Sequence, residues 1–267
     1  MNFQFSTTLL LGAFLQTLLV LFIPRAYALT PAALILLVRL LDTLSISYGM
    51  RKNPYLEGVI PKKTSAVVPD QDGEFSNGPA NEKIAVLLLG AKSNHPLNIF
   101  APGFSEMSDY LMKMTDELEK EAPHNGFLGQ SNWMNKDKNG CAQFNAISYW
   151  RSIDDIHAFA HGPLHREAWQ WWEKGIKQGK NAHLGINHEI YSADKGQWEN
   201  IYVNFQPTGL GATTFLRRGD KLEGGVVSDS WISPLFDASK GKLRTSAGRL
   251  GWAPAIQHDK YGPNVYE

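Results

Sequence analysis

Residues 149–210 decide the fold of this chain, and they read YWRSIDDIHAFAHGPLHREAWQWWEKGIKQGKNAHLGINHEIYSADKGQWENIYVNFQPTGL. The stretch holds five histidines and five tryptophans, together with tyrosines, between two apolar strands. A plain structural core rarely needs so many aromatic rings and imidazoles. We therefore expect the stretch to line a pocket for a bulky apolar ligand, which a few polar groups would orient.

Apolar patterns within and before this stretch predict an alternation of strands and helices. Continuous apolar runs indicate buried strands, spacings of three and four indicate helices, and a polar turn-forming insert indicates a hairpin. The predicted elements are a strand at 84–89, a helix at 105–118, a hairpin of 126–134 with 141–150, helices at 152–160 and 163–177, and strands at 183–191 and 201–205. This β-α-β-β-α-β order with one added strand is the plan of a ferredoxin-like α+β sandwich.

The order of short motifs in the same region resembles a known family. The motifs YWRSxxDxxAFA, HxxxWxxW, GIxHExY and ExIYxNxxPxGL follow one another. Together they resemble the fungal and bacterial monooxygenase-like family that includes the small monooxygenase of the fumagillin pathway, whose members are distant relatives of the antibiotic-biosynthesis monooxygenases. The resemblance covers residues 82–210. It implies a ferredoxin-like fold, often paired into a dimeric α/β barrel, and oxygenation of a lipophilic natural product.

Composition excludes several classes of function. The chain has 26 Lys and Arg against 26 Asp and Glu, with no local basic run, so nucleic acid is not an expected partner. Cys141 is the single cysteine, which excludes an internal disulfide, a thiolate zinc cage and an iron–sulfur cluster. No nucleotide fingerprint or nucleophile-elbow serine occurs, so an enzyme here would work without a bound nucleotide.

The first 50 residues predict a membrane anchor of one or two helices. Apolar runs at 7–23 and 28–48 are each close to the length that crosses a bilayer. Arg39 and Asp42 lie in the second run at a spacing that lets them pair on a helix. The alternative is a cleaved signal peptide, because Ala26-Tyr27-Ala28 has the form of a cleavage site.

Charge on either side of the apolar runs favours the anchor and its orientation. The extreme N-terminus lacks the positive charge of a signal peptide, whereas Arg51, Lys52, Lys62 and Lys63 follow the second run. The positive-inside rule then places the main domain on the cytosolic side, at the endoplasmic reticulum of a fungal cell. We expect residues 51–81, rich in proline and glycine, to be a linker, and residues 211–267 to form an irregular extension around the domain or a partner subunit.

Side-chain alternation gives the predicted sheet one apolar face and one polar face. The apolar face should carry the helices, and the other should form a cavity wall or a dimer interface. The polar set consists of Asn145, Tyr149, Glu189, Tyr191, Tyr202 and Asn204.

Glu189 is the best candidate for a general acid or base on that face. A carboxylate among tyrosines and asparagines can be desolvated and its pKa shifted toward neutrality. The alternative is a strand-end glutamate that accepts a hydrogen bond from Tyr191. Asn145, Tyr149 and Tyr191 would stabilise developing negative charge, or Asn145 would have a structural amide role.

A second set of candidates follows from the spacing of the last predicted helix. His165, Trp169, Trp172 and Ile176 share one helical face, which should turn toward the sheet and bring His165 to His188. We include both histidines among the catalytic residues. The substrate contacts predicted from aromatic and polar character are Tyr149, Trp150, Trp169, Trp172, Tyr202 and Asn204.

The histidines also permit a metal hypothesis. His161, His165 and either His188 or Glu189 would form a two-histidine, one-carboxylate site for non-haem iron. Gly162-Pro163 breaks the helical register that such a pair needs, so imidazoles that join helix to sheet are favoured. We predict no resident metal or other cofactor, with molecular oxygen as co-substrate.

Three functions remain open at this point. The first is a membrane-tethered monooxygenase of a lipophilic terpenoid or polyketide, in which Glu189 or a histidine deprotonates the substrate. The second is a non-catalytic protein that binds a hydrophobic intermediate for a partner oxygenase. The third is an oxygen-independent isomerase or cyclase. We also expect a homodimer packed sheet to sheet, reinforced by the segment after Leu210, because a tyrosine-rich open face needs a cover.

Overall fold

The computed structural model describes residues 5–75, 78–219, 221–222, 225–226 and 229–252. The chain divides into two compact units, Met1–Gly58 and Val59–Glu267. The first contains the N-terminal helices, and the second contains all of the described strands.

The N-terminal unit contains helices α1 (Phe5–Phe22) and α2 (Arg25–Ser47). Pro24 separates them with an extended backbone, and the Gln16 side chain donates a hydrogen bond of 3.0 Å to the carbonyl oxygen of Ala28. Within the described residues, α2 is the one helix long and apolar enough to cross a membrane, judged by length and composition alone. Asp42 forms an ion pair with Arg51, not with Arg39 as its helical spacing allowed.

The C-terminal unit contains five helices and eleven strands among the described residues. The helices are α3 Phe104–Lys120, α4 Ala122–Asn125, α5 Ile153–Ala160, α6 Pro163–Lys177 and α7 Ser246–Arg249. The strands are β1 Ile60–Ala66, β2 Ile84–Ser93, β3 Phe127–Lys136, β4 Ala142–Trp150, β5 Leu184–Ala193, β6 Tyr202–Phe205, β7 Phe215–Arg217, β8 Lys221–Leu222, β9 Gly225–Val226, β10 Ser230–Ile232 and β11 Leu235–Asp237.

Four of these strands form the main antiparallel sheet, in the order β3-β4-β2-β5. The chain enters at the central strand β2, passes through α3, makes the β3–β4 hairpin, and reaches the edge strand β5 through α5 and α6. This connectivity is the ferredoxin-like arrangement, so the predicted α+β class is confirmed. Each element predicted between residues 84 and 205 is present.

The helices cover one face of this sheet and form its main core. Trp150 is completely buried and packs edge to face against Phe127, with ring centroids 5.2 Å apart. Its indole nitrogen donates a hydrogen bond of 2.9 Å to the Ser148 hydroxyl, so the polar atom of the ring has a partner. Leu118 and Ile156 bring α3 and α5 into the same cluster. Trp150 therefore lies in the core of the helix side, whereas the sequence predicted it as a substrate contact.

A second sheet, in the order β11-β1-β6, differs from what the sequence predicted. Strand β1 lies inside the predicted linker, and β6 pairs with β1 instead of extending the main sheet. The Asn200 amide continues the pairing, since it accepts a 2.6 Å hydrogen bond from the Ala66 amide and donates one of 3.0 Å to the Ala66 carbonyl. Pro61, Lys62 and Lys63 hid the strand from the sequence pattern. They occupy its first half, and only its last residues are buried.

This second sheet and the segment after it cover one end of the other face of the main sheet. Ala66, Val68, Leu210 and Phe215 are buried in one cluster, against which Tyr149 packs. The predicted extension 211–267 therefore contains short strands that complete a core, although residues 253–267 lie outside the described part. The rest of this face is called here the open face, and no described element of the C-terminal unit covers it, since Trp133 and Tyr191 there are exposed.

Candidate functional site

The predicted catalytic residues lie on opposite sides of the main sheet. Neighbouring residues of a strand point to opposite faces. Glu189 and Tyr191 therefore lie on the open face with Asn145, whereas His188 points to the helix side, where α6 brings His165. The predicted set thus separates into two groups that cannot act on one substrate atom together.

The open face is built around Gly90 in the central strand. A Cβ atom at this position would lie 2.1 Å from Asn187 Oδ1 and 3.3 Å from Asn145 Oδ1, so both amides cross over the glycine. Asn145 donates a 2.9 Å hydrogen bond to Asn135 Oδ1 and accepts one of 3.1 Å from Gln143. These contacts match the structural amide role that was the alternative for Asn145.

Glu189 is exposed on this face, so the expected desolvation of its carboxylate is not found. Neither the helices nor the second sheet reaches it. The Tyr191 hydroxyl donates a hydrogen bond to the carboxylate, and this bond raises the pKa of Tyr191. Tyr191 therefore stays protonated at neutral pH. The pair matches the alternative in which Tyr191 holds a strand-end glutamate.

Tyr149 and Tyr202 point into the covered end of the face. The Gly211 amide donates a 3.0 Å hydrogen bond to the Tyr202 hydroxyl, and burial raises the pKa of Tyr202 to about 12. Burial also raises the pKa of Tyr149, whose hydroxyl accepts a hydrogen bond from the Leu210 amide. Both phenols therefore hold the turn Gly209–Ala212 against the sheet. The structure gives them an anchoring position instead of the predicted place in a ligand pocket.

The backbone conformation at position 204 accounts for the asparagine found there. Its φ is 50°, in the left-handed region that asparagine adopts more readily than most residues. The register between β1 and β6 shifts between Ile60 and Lys63, opposite this residue. Asn204 lies on the second sheet, so the expectation that it shares a face with Glu189 is wrong.

On the helix side, the edge strand β5 is left open next to α6, and we call this opening the groove. Ile186 and His188 point toward the helices, yet Ile186 is 42% exposed and His188 is also exposed. The helix layer therefore leaves this edge of the sheet open. His165 is half-buried on the facing side, and Trp172 packs against the buried cluster that includes Leu184 and Phe104. Aromatic rings and two imidazoles lie along the groove, and solvent reaches it at the edge of the sheet.

His165 has the environment of a neutral base. Burial lowers the pKa of the imidazole, and the nearby His188 lowers it further, with a smaller contribution from His161. The Ala160 carbonyl accepts a hydrogen bond from the ring, and Phe159 packs edge to face at 5.6 Å. In a neutral imidazole held by one nitrogen, the other nitrogen is the proton acceptor. At pH 7 His165 can therefore accept a proton from a substrate.

Helix α6 is rotated relative to its predicted orientation. Trp169 is 55% exposed and Ile176 is 44% exposed, so neither is held under the sheet. Gly175 is buried instead. A Cβ atom at this position would lie 2.0 Å from Asn181 Nδ2, so the Asn181 side chain occupies the place of a side chain here. The absence of a side chain at Gly175 lets Asn181, which follows α6, pack against the helix. Trp172 keeps its predicted place, whereas Trp169 can line only the rim of the groove.

The histidines do not form the arrangement of the metal hypothesis. His161 Nδ1 lies 2.7 Å from the carbonyl oxygen of His157, one turn earlier in the chain. Among the residues the structure describes, no group of three or more His, Cys, Asp and Glu side chains is placed to hold a metal ion.

Sequence reasoning missed several residues around the two sites. On the open face these are Gly90, Asn187 and Trp133, which is 45% exposed. In the groove they are Phe159 and the Ala160 carbonyl that holds His165. The AFA motif contains both of the latter, but a backbone carbonyl leaves no signal in a sequence. Strand alternation puts Asn187 on the same face as Glu189, and only its crossing over Gly90 distinguishes it.

The fold and the groove define an α+β protein of ferredoxin-like plan with a histidine-bearing aromatic cleft. A family model described as Monooxygenase af470-like matches residues 84–210. Over 94% of its length the chain is 30% identical to Monooxygenase af470 of Aspergillus fumigatus, and it covers 88% of that protein. The chain belongs to the monooxygenase af470-like family.

Three solved structures show weaker similarity. SnoaB, a cofactor-independent oxygenase from Streptomyces nogalater, is 15% identical with a TM-score of 0.27, over 40% of this chain and 90% of that one. An antibiotic biosynthesis monooxygenase is 10% identical with a TM-score of 0.28, over 41% and 96%. An aldoxime dehydratase is 16% identical with a TM-score of 0.34, over 67% and 42%. Scores this low carry no argument about the chain.

Proposed function

We propose that this protein is a monooxygenase of fungal secondary metabolism that oxidises a lipophilic terpenoid or polyketide in the groove between α6 and β5. The observation that carries the proposal is the half-buried His165, whose pKa is lowered by burial and by His188. Membership of the monooxygenase af470-like family supports the reaction class. Glu189 is not chosen as the base, because its carboxylate is exposed and bonded to Tyr191.

The reaction begins with removal of an acidic proton from the substrate by His165. A C–H group activated by a neighbouring carbonyl or phenol leaves its electron pair on the substrate, and the imidazolium that forms stabilises the anion. The anion reduces molecular oxygen and combines with it to give a carbon-bound hydroperoxide after protonation. Loss of water then leaves a carbonyl group. One oxygen atom ends in the product and the other in water, so a methylene group and O2 give a ketone and H2O.

The walls of the groove suit such a substrate. Phe159 and Trp172 provide apolar ring surface, and the exposed Ile186 extends it to the open edge. An apolar wall keeps bulk water away from the reactive anion and favours an uncharged polycyclic ligand. The proposed chemistry takes its electrons from the substrate, and oxygen is the co-substrate, so no resident cofactor is included in it.

We include a membrane tether and a homodimer in the proposal. The hairpin of α1 and α2 would hold the protein at the cytosolic face of the endoplasmic reticulum, where a lipophilic substrate partitions. A second copy would cover the uncovered part of the open face, where Trp133 is 45% and Tyr191 is 53% exposed. A partner oxygenase remains an alternative source of the chemistry, with this chain as the binding protein.

The reaction class is tested with purified full-length protein, candidate polycyclic phenols or ketones, and ¹⁸O2. We expect one O2 to be consumed for each product molecule formed, and one atom of ¹⁸O2 to appear in the product. In H2¹⁸O with unlabelled O2, the product should carry no label when it is analysed before its carbonyl oxygen exchanges with water. A chelator should leave the rate unchanged. Binding without turnover would support the binding-protein alternative, and unchanged turnover in the absence of oxygen would support an isomerase or cyclase. Either result would overturn the proposal.

The pH dependence of the rate reports on the proposed base. Protonated His165 is inactive, so the rate should fall as pH drops through its pKa, which lies below the ordinary 6.5. In a His188→Gln variant, the positive charge that lowers the pKa of His165 is absent. The pKa of His165 should therefore rise, and the acid limb should move to higher pH. The shift should be partial, because burial, the largest cause, and His161 remain. The measurement is log kcat/KM between about pH 5 and pH 8 for both proteins. A limb that stays in place or moves to lower pH would contradict this assignment.

A further inference from the structure

Phe159 connects the proposed base to the core of the main sheet. Its ring packs against the His165 imidazole, with ring centroids 5.6 Å apart and an angle of 73° between the ring planes. The same ring packs against Trp150, with centroids 5.8 Å apart. Trp150 is completely buried and packs in turn against Phe127. The imidazole therefore rests on a row of rings that begins in the buried core of the helix side.

A tight corner between α5 and α6 brings Phe159 to His165. The Gly162 amide donates a 2.9 Å hydrogen bond to the Phe159 carbonyl. A Cβ atom at Gly162 would lie 3.0 Å from the same carbonyl oxygen, so the backbone passes close to the end of α5 here. α6 then begins at Pro163, and His165 lies in its first turn. The corner thus holds the end of α5 next to the imidazole.

Two consecutive residues at the end of α5 hold the imidazole of His165 in different ways. The Ala160 carbonyl accepts a hydrogen bond from the ring, which fixes one nitrogen but leaves the ring free to turn about the bond. The Phe159 ring lies nearly perpendicular to the imidazole, and such a turn would break this edge-to-face contact. Together the two contacts fix the direction of the second nitrogen, which is the proton acceptor.

Phe159 also covers part of His165, and this effect on the pKa differs from an effect on orientation. Burial is the largest cause of the lowered pKa of His165. Exposure of the imidazole would raise this pKa toward its ordinary 6.5 and move the acid limb of the rate to higher pH. Loss of orientation alone would lower the rate at every pH, because the fraction of neutral imidazole is unchanged. His161 and His188, whose charges also lower this pKa, are the same in both cases.

We infer that Phe159 is a positioning residue, which orients the imidazole of His165 so that its free nitrogen meets the substrate C–H group. The inference rests on the proposed function, because it takes His165 as the base. The AFA motif, residues 158–160, then supplies both contacts that hold the ring.

The kinetic test uses the full-length protein and the polycyclic phenol or ketone with which the wild type consumes oxygen fastest. Phe159→Leu keeps the site apolar and removes the planar ring. We expect kcat to fall by about 10-fold, with KM within about twofold of the wild-type value and the acid limb in place. Phe159→Tyr keeps the ring and should restore kcat to within about threefold. In Phe159→Ala the acid limb should also move to higher pH, because burial is lost.

Ring order can be measured without a substrate. The measurement is ¹³C relaxation at Cε1 of His165 in the full chain, with the signal assigned by its absence from His165→Gln. We expect an ordered ring in the wild type and in Phe159→Tyr, and larger motion on the picosecond-to-nanosecond timescale in Phe159→Leu. Equal order in the wild type and Phe159→Leu would overturn the inference.

Phe144→Leu is the matched control, because it makes the same change in another ring pair on the helix side. The Phe144 ring packs against Phe104 at 5.7 Å, and its loss should change kcat by less than about twofold. Equal losses in the control and in Phe159→Leu, or a Phe159→Tyr variant as slow as Phe159→Leu, would show a general packing effect and overturn the inference. Normal kcat in Phe159→Leu with an inactive His165→Gln would overturn it and leave the proposed function intact. A wild type that consumes no oxygen would overturn both.

Discussion

Replacement of His165 by glutamine is expected to lower kcat/KM by about 10²- to 10⁴-fold, the range associated with loss of a general base. The side chain is half-buried and held through the Ala160 carbonyl, and its lowered pKa keeps it neutral at pH 7. Glutamine can replace the donated hydrogen bond but cannot accept the proton. Steady-state kinetics and substrate affinity should be measured together, because loss of a base lowers turnover and leaves affinity largely unchanged.

Two matched variants separate this result from a structural effect. Glu189→Gln removes the carboxylate of the open face, and His161→Gln removes an exposed imidazole next to the groove. Both should retain activity within about threefold of the wild type, since neither side chain receives the substrate proton in the proposed reaction. Loss of activity in Glu189→Gln with normal activity in His165→Gln would place the chemistry on the open face instead.

Replacement of Trp150 by alanine should lower the free energy of unfolding by about 3–5 kcal/mol, as observed when large aromatic side chains are removed from cores. The ring is completely buried, contacts Phe127 and Phe159, and gives its indole N–H to Ser148. Truncation leaves a cavity, and the Ser148 hydroxyl loses the hydrogen bond that it accepts from the indole N–H. The measurement is urea unfolding followed by circular dichroism, on the full chain.

Trp169→Ala is the control for Trp150→Ala. The Trp169 ring is 55% exposed, so its removal should change the free energy of unfolding by less than about 1 kcal/mol. The pair also tests the corrected orientation of α6. A cost for Trp169→Ala as large as that for Trp150→Ala would mean that this ring is packed, as the helical spacing alone had predicted.

The main sheet and its helices could be predicted because each one is locally encoded. The run at Ile84, the polar insert after Lys136 and the helix starts at Ser152 and Pro163 all carry their own signals. The pairing of strands then follows from the ferredoxin-like plan. The meeting of His165 and His188 could also be predicted, because helix spacing and strand alternation independently pointed both side chains to the same layer.

Coverage of the faces could not be predicted in the same way. Alternation assigned Tyr149 to a polar face, but only the second sheet shows that its hydroxyl is buried under Leu210. Burial of Glu189 was expected from its neighbours in sequence, yet exposure depends on what packs above it. β1 itself was hidden, since its outer residues are proline and lysine and its pairing partners are distant in the chain.

The pairing of β1 with β11 has a consequence for the order of folding. Thr64 pairs with Asp237, so β1 leaves the ribosome long before the strand on one of its sides, and β6 on its other side also comes later than the whole main sheet. The four-stranded sheet can assemble from segments of residues 84–193 while β1 still lacks both neighbours. Closure of so long a loop is slow, which makes the second sheet the last part of the chain to form. During synthesis, β1 is therefore expected to remain an unpaired strand that chaperones can bind.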